Sequence, residues 1–246
     1  MARYQVILAY DGTHFFGFQR QTVERTVQGV LEKALREIGW PGSTTLAAGR
    51  TDTGVHASGQ VIAFDLDWRH SSVELQSALN ANLPKDMAAR SVKLAEPDFH
   101  PRFDAVSRCY QYRLYCKPVR NPLWDRYAWR VWPVLDLERL QNSARHLHGE
   151  HDFSAFGTPL KPGGSTVRNV TDAAWSLDGE YLIFAITANA FLYHMVRHLV
   201  SFQVQIGQGK RAPSANLEKL DVASNEIVQG LAPPQGLVLT EVIYTS

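Results

Sequence analysis

The chain lacks most of the features that mark membrane, secreted or strongly charged proteins. No apolar run approaches the roughly 20 residues needed to cross a bilayer. The opening MARYQVILAYDG lacks the successive basic, apolar and small-residue zones of a secretory signal. These two absences predict a cytoplasmic protein without membrane association. Only two cysteines occur, Cys109 and Cys116, in a segment that alternates like a strand. Seven residues apart on a strand, they face opposite sides and cannot pair with each other. A disulfide framework is therefore not expected, in keeping with a reducing compartment. An excess of one charge is missing too, with 25 Lys and Arg against 24 Asp and Glu, a formal net charge of +1. A coat of positive charge is excluded, whereas a local basic groove for nucleic acid remains compatible with a nearly neutral total.

What is present suits a sizeable core. The 246 residues are 45% hydrophobic and 20% charged, enough for one large domain or two small ones. Tyr4 to Tyr10 alternates as a strand and ends at the Asp11-Gly12 turn. Thr26 then caps an amphipathic helix with Val27, Val30, Leu31, Ala34, Leu35 and Ile38 on one face, stopped by Gly39 and Pro41-Gly42. Val61 to Leu66 reads as a strand. Ser71 and Glu74 make a capping-box pattern for a helix that ends before Pro84, and Val92 to Ala95 is a further strand.

The second half repeats this mixture. Arg108 to Cys116 reads as a strand with Tyr110, Tyr112 and Leu114 on one face. Leu137, Leu140, Ala144 and Leu147 mark a helix that stops at Gly149. Asp178-Gly179 between two strand-like runs signals a hairpin. Phe191 to Gln205 reads as an apolar helix, Ser214 can cap the last helix, and Leu237 to Tyr244 is the final strand. Hairpins and neighbouring strands favour antiparallel sheets with helices on one face, hence an α+β fold. Dividing the chain near residue 105 gives two similar halves, 1–105 and 106–246, and a cleft between them is a natural ligand site.

The densest chemistry lies in AGRTDTGVHA, from Ala48 to Ala57. Asp52 stands two residues after Arg50, in a tight turn bounded by Gly49 and Gly54. A neighbouring cation favours an ionised carboxylate even when it is partly desolvated. Such a group is either a nucleophile or half of a structural ion pair, and spacing alone favours the ion pair.

The surrounding segments change that balance. They are YDGTHFFGFQRQ (Tyr10 to Gln21), RTVQGVLEKAL (Arg25 to Leu35), VHASGQVIAF (Val55 to Phe64), PRFDAVSRCYQYRLY (Pro101 to Tyr115), ANAFLYHMVRHLV (Ala188 to Val200) and APPQGLVLTEVIY (Ala232 to Tyr244). In this order, and over nearly the full length, the chain resembles the TruA family of tRNA pseudouridine(38-40) synthases. Small departures occur. Phe18 stands where that family more often has Trp, Ser201 where it usually has Gly, and Gly157 to Val170 matches less well.

The resemblance implies an isomerase without metal or organic cofactor, converting uridine to pseudouridine at positions 38, 39 and 40 of the tRNA anticodon stem-loop. It also implies a homodimer and two halves whose antiparallel sheets floor an RNA-binding cleft. Asp52 is then the catalytic carboxylate. It can attack C1′ of the sugar, add to C6 of the base or abstract a sugar proton, and all three routes need it ionised. Tyr110 matches the family's base-site tyrosine, placed to stack on a flipped uracil, although as a strand residue alone it reads as core. Arg197 matches an arginine that pairs with the catalytic carboxylate across the cleft, and the resemblance assigns Arg50 to RNA contact and base flipping. Arg20, with Gln19, lies in a loop whose aromatic and basic residues suit shape recognition of RNA by stacking and phosphate contact, while Phe15, Phe16 and Phe18 also read as a hydrophobic anchor.

His194 and His198 have the i, i+4 spacing of metal ligands, but Met195, Val196 and Arg197 lie between them where a metalloprotease has its acid. His56 lacks the Cys-x-x-Cys that completes a deaminase zinc site. No metal is expected. Two rivals to the isomerase remain, a non-catalytic RNA-binding protein of the same fold and a base-acting zinc enzyme.

Overall fold

The computed structural model describes residues 1–220 and 226–245. The chain forms two compact units, one of residues 1–106 joined by 238–246 and the other of residues 107–237. The sequence division placed all of 106–246 in one half, but the last strand returns to the first unit. Proximity in sequence cannot reveal such a return, because the pairing is non-local.

The first unit contains β1 (Ala2–Tyr10), α1 (Val27–Glu37), β2 (Leu46–Ala47), β3 (His56–Leu66), α2 (Ser72–Asn82) and β4 (Met87–Leu94). β1 runs antiparallel to both β3 and β4. Its alternation buries Tyr4, Val6, Leu8 and Tyr10 on one face, as period-2 side chains require. On α1 the Thr26 hydroxyl accepts from Gly29 N–H at 3.3 Å. Val27, Leu31, Ala34 and Leu35 are buried along one stripe of that helix. Truncating Leu31 to alanine would cost about 2–5 kcal/mol through lost burial and the cavity left behind. The α2 capping box forms as expected, with Ser71 and Glu74 satisfying each other's main-chain donors.

Two strands are longer than the sequence pattern indicated. β3 starts at His56 rather than Val61: Ser58-Gly59-Gln60 has weak strand propensity, yet Ala57 and Gln60 pair with Tyr10 and Leu8 on either side of a register shift. β4 spans Met87–Leu94 rather than Val92–Ala95, since an extra residue at Arg90 breaks the alternation. Beside that bulge Asn80 of α2 donates to Ala89 O at 2.9 Å and accepts from Ala89 N–H at 2.8 Å, replacing ladder bonds.

The second unit carries β5 (Ala105–Tyr115, which begins at the boundary), β6 (Trp129–Arg130), α3 (Leu137–Arg145), β7 (Gly149–Asp152), β8 (Val167–Asp178), β9 (Tyr181–Ala188), α4 (Met195–Gly207) and α5 (Ala215–Leu220). Its main strands are antiparallel in the order β5-β9-β8-β7. The β8–β9 hairpin pairs Asp178 with Tyr181, so its two loop residues are Gly179 and Glu180, with Gly179 at φ 57°. Trp175 stacks on Phe184 with centroids 5.1 Å apart, and its indole N–H donates to Gln203 of α4. α3 crosses α4 where Gly207 lies against Leu140; an added Cβ would sit 3.0 Å from Leu140 Cδ2.

α4 begins at Met195, four residues later than the apolar run suggested. His194 takes φ 65° and ψ 1°, and a left-handed residue cannot belong to a right-handed helix. The final strand, β10 (Leu237–Tyr244), runs parallel to β3 through Val238–His56 and Leu239–Ala57. β6 is likewise parallel to β5, so the expectation of antiparallel sheets holds for the main strands but not for these two pairs. The fold is α+β, with five α-helices among the described residues.

Candidate active site

In the first unit, the turn carrying Asp52 is built from main-chain bonds to the segment after β1. Phe18 N–H donates to Thr51 O at 3.0 Å, Gly54 N–H to Phe15 O at 3.3 Å, and Val55 N–H to Asp52 O at 3.1 Å. Two glycines make this approach possible. Gly17 has φ 80° and its missing Cβ would lie 3.0 Å from Thr51 O, while a Cβ on Gly12 would overlap Val55 O at 2.1 Å. Side chains lock the turn from below. The Tyr10 hydroxyl bonds Thr51 Oγ1 at 2.8 Å in the core, and Gln60 donates to Gly49 O at 2.9 Å. Burial pushes the Tyr10 phenol up to about 12, against the hydrogen bonds that favour its anion.

Asp52 itself is half-buried and Arg50 is exposed. His56, just beyond the turn, is buried and tied to the segment after β1, where Gly12 N–H lies 2.9 Å from its Nδ1. The Asp11 carboxylate lies 3.2 Å from the same nitrogen.

Arg20 and Gln19 belong to a buried polar network that the sequence reading missed. Glu32, fully buried on α1, receives Arg20 Nη1 at 2.5 Å, Gln28 Nε2 at 2.9 Å and Thr45 N–H at 3.0 Å. Gln28 in turn accepts from Gln19 Nε2 at 2.8 Å and Arg20 N–H at 3.0 Å. The available signal was two polar residues, Gln28 and Glu32, one turn apart beside the apolar stripe of α1. About half of the Arg20 side chain stays exposed, so its guanidinium is anchored and still reachable.

In the second unit, Tyr110 and Tyr112 share a strand face but not a fate. Tyr112 is fully buried and donates to Pro233 O at 2.7 Å. Tyr110 is half-buried, with Phe191 standing edge-on to its ring at 5.0 Å and 82°. A core aromatic would be covered as Tyr112 is. Arg197, on the first turn of α4, is 9% exposed amid buried Met195, Val196, Leu199 and Val200. Its Nε donates to Ala232 O at 2.7 Å, and Ala232 N–H donates to Arg197 O at 3.2 Å. An arginine held this deeply is costly to desolvate unless its charge is used.

His194 and His198 do not act as a matched pair. His194 precedes the helix and stacks on Tyr193, whereas His198 Nδ1 donates to Gly230 O at 2.9 Å. Burial and the Arg197 charge push His198 below the usual histidine range, although the Gly230 bond opposes them. Among the described residues, no three His, Cys, Asp or Glu side chains are grouped to hold a metal ion. Ser201 fits because Gly230 faces it: at φ 94°, a Cβ there would lie 2.5 Å from Ser201 Oγ.

A family described as tRNA pseudouridine synthase matches residues 6–104 and 143–245. The tRNA pseudouridine synthase A of Limosilactobacillus fermentum is 39% identical over 251 residues, covering 100% of this chain and 97% of that protein. That of Colwellia psychrerythraea is 40% identical, covering 98% and 93%. Among solved structures, an archaeal box H/ACA sRNP Nop10–Cbf5 complex aligns with 73% of this chain and 39% of its own, at 11% identity and a TM-score of 0.38.

Proposed function

We propose, from the premise that this chain belongs to the tRNA pseudouridine synthase family, that it isomerises uridine to pseudouridine in tRNA with Asp52 as the essential carboxylate. The observation that supports this most directly is the Asp52 turn. Its carboxylate is half-buried, while its backbone is fixed by Phe15, Phe18 and Val55 and underpinned by the Tyr10–Thr51 bond. Preorganisation of this kind serves a group whose position matters to a reaction.

The reaction breaks the bond from C1′ to N1 of uracil, turns the base, and forms a bond from C1′ to C5. C5 then loses its proton and N1 gains one, so the product is an isomer and no oxidant or external group is consumed. Positive character at C1′ during cleavage favours a carboxylate nearby. We assign Tyr110 to stacking on the displaced uracil, Arg197 to pairing with the catalytic carboxylate, and Arg50 to RNA contact and base flipping. Arg20 and Gln19 present the loop after Gly17 to the RNA backbone. The target is the anticodon stem-loop at positions 38, 39 and 40, and the working form is a cytoplasmic homodimer. No metal or organic cofactor takes part.

The test is tritium release from tRNA labelled at uridine C5, run with chelator present, for wild type and Asp52→Ala side by side. Release by wild type alone is expected. Release from the Asp52→Ala protein at a comparable rate would remove Asp52 from its role, and none from a tRNA-binding wild type would favour a binding module.

A further inference from the structure

The segment between β9 and α4 forms a rigid, partly exposed aromatic ledge that the assigned roles do not use. Its first residue is pinned: Arg108 Nη1 donates to Asn189 O at 2.8 Å, and Asn189 Oδ1 accepts from Asn169 N–H at 3.1 Å and Ala190 N–H at 2.8 Å. Its other end is pinned by Thr158, which exchanges two main-chain bonds with Tyr193, at 2.9 and 3.4 Å. Gly157 allows this clamp, because a Cβ there would meet Tyr193 O at 2.6 Å and Leu192 Cβ at 2.8 Å. Between the two pins, Phe191 stands against Tyr110.

At the clamped end, the Tyr193 ring lies on the imidazole of His194, centroids 3.7 Å apart and planes 26° from parallel. His194 reaches that position through the left-handed backbone that ends the ledge, a conformation costing a non-glycine residue on the order of 1 kcal/mol. With one face covered by imidazole, Tyr193 is nevertheless 50% exposed. A large aromatic with its backbone pinned, one face backed by a ring and half of its surface exposed, suits a stacking site for a nucleobase. It sits two residues from Phe191, at most about 7 Å along the backbone, hence beside the position assigned to the displaced uracil.

We propose that Tyr193 is a second base-stacking site, receiving an unpaired nucleobase of the substrate RNA next to the nucleotide held at Tyr110. This rests on the tRNA isomerase reading above. Moving a base out of its stack exposes the face of its neighbour, and a ring waiting there offsets part of that loss. The Gly157–Thr158 clamp holds Tyr193 in place, which gives a purpose to a segment that carries no chemistry of its own.

The experiment compares wild type, Tyr193→Phe and Tyr193→Leu on one unmodified tRNA transcript, measuring dissociation constant, its salt dependence, thermal midpoint and C5-tritium release. Loss of stacking is expected to weaken binding by Tyr193→Leu about ten-fold or more. Tyr193→Phe should bind as wild type does. The salt slope and thermal midpoint should be the same in all three, since no phosphate contact or core packing is removed. Equal affinity of Tyr193→Leu and an active wild type would overturn the stacking site alone. So would a Tyr193→Phe protein as weak as Tyr193→Leu, which would point to the hydroxyl. A wild type that neither binds the transcript nor releases tritium would overturn the functional reading, and this inference with it.

Discussion

The Tyr10 hydroxyl and Thr51 Oγ1 meet at 2.8 Å inside the first unit, tying the end of β1 to the residue before Asp52. Burial pushes the Tyr10 phenol up to about 12, while an unfolded chain loses that proton near 10.0. The raised value means that the contribution to stability is complete below pH 10 and is lost as pH rises through 12. The whole effect is about 3 kcal/mol. Tyr112, also raised by burial, adds loss in the same direction. Urea unfolding at pH 8, 10 and 11 should show stability falling above pH 10, and Tyr10→Phe should fall less steeply. At neutral pH Tyr10→Phe should cost about 1–2 kcal/mol, the price of leaving Thr51 without its partner. Parallel pH curves for the two proteins would reject this account.

Asp52→Asn tests the carboxylate and leaves the Val55 turn bond in place, because that bond uses the Asp52 main-chain carbonyl. Turnover should drop by at least about 10³-fold. Affinity for tRNA and the thermal midpoint should stay within experimental error. A variant that unfolds early, or that keeps a tenth of wild-type turnover, would return Asp52 to a structural role.

Much of the first unit was legible from local signals. Thr26, Ser71 and Glu74 cap where they were expected to, and the stripe from Val27 to Leu35 is buried. These are short-range devices whose geometry is fixed within one or two turns of chain. Non-local features were not legible. The pairing of β10 with β3, the missing Cβ of Gly59 against Thr240 O, and the bulge at Arg90 all depend on segments far apart in sequence. At the site, AGRTDTGVHA announced a tight turn. Its supports, Tyr10 and Gly12, precede it by some forty residues, and the alternation that ends at Tyr10 does not mark Thr51 as its partner. The aromatic run from Phe191 read as helix because apolar residues look alike in either state, and only the backbone of His194 separates ledge from helix.

Two glycine substitutions should separate close approach from backbone strain. In Gly12→Ala the new Cβ would meet Val55 O at 2.1 Å and Val55 C at 2.5 Å, so main chain must move directly behind the Asp52 turn. The expected cost is about 2–3 kcal/mol, with kcat falling more than tRNA affinity. Gly39→Ala meets nothing within 4 Å and pays only for its φ of 88°, about 1 kcal/mol. Its turnover should match wild type. Equal kinetic defects in the two variants would mean that the turn is not the sensitive element.

Glu32 decides how Arg20 can be tested. Its carboxylate is fully buried and receives Arg20, Gln28 and Thr45, with Arg36 farther off at 3.8 Å. Arg20→Ala would remove the nearest cation from a buried anion and lower stability whether or not RNA touches Arg20. Because the guanidinium is half exposed, the loss should be about 1–3 kcal/mol, or roughly 2–10 °C in thermal midpoint. Arg20→Gln is the better probe of RNA contact, since it keeps a donor for Glu32 and loses only the charge. If Arg20 meets a phosphate, the salt slope of tRNA binding should fall by about one in Arg20→Gln. Glu32→Gln keeps the Arg20 charge while loosening the loop, so it should weaken binding at an unchanged slope. The same slope in Arg20→Gln as in wild type would leave Arg20 as a loop anchor and take it off the list of phosphate contacts.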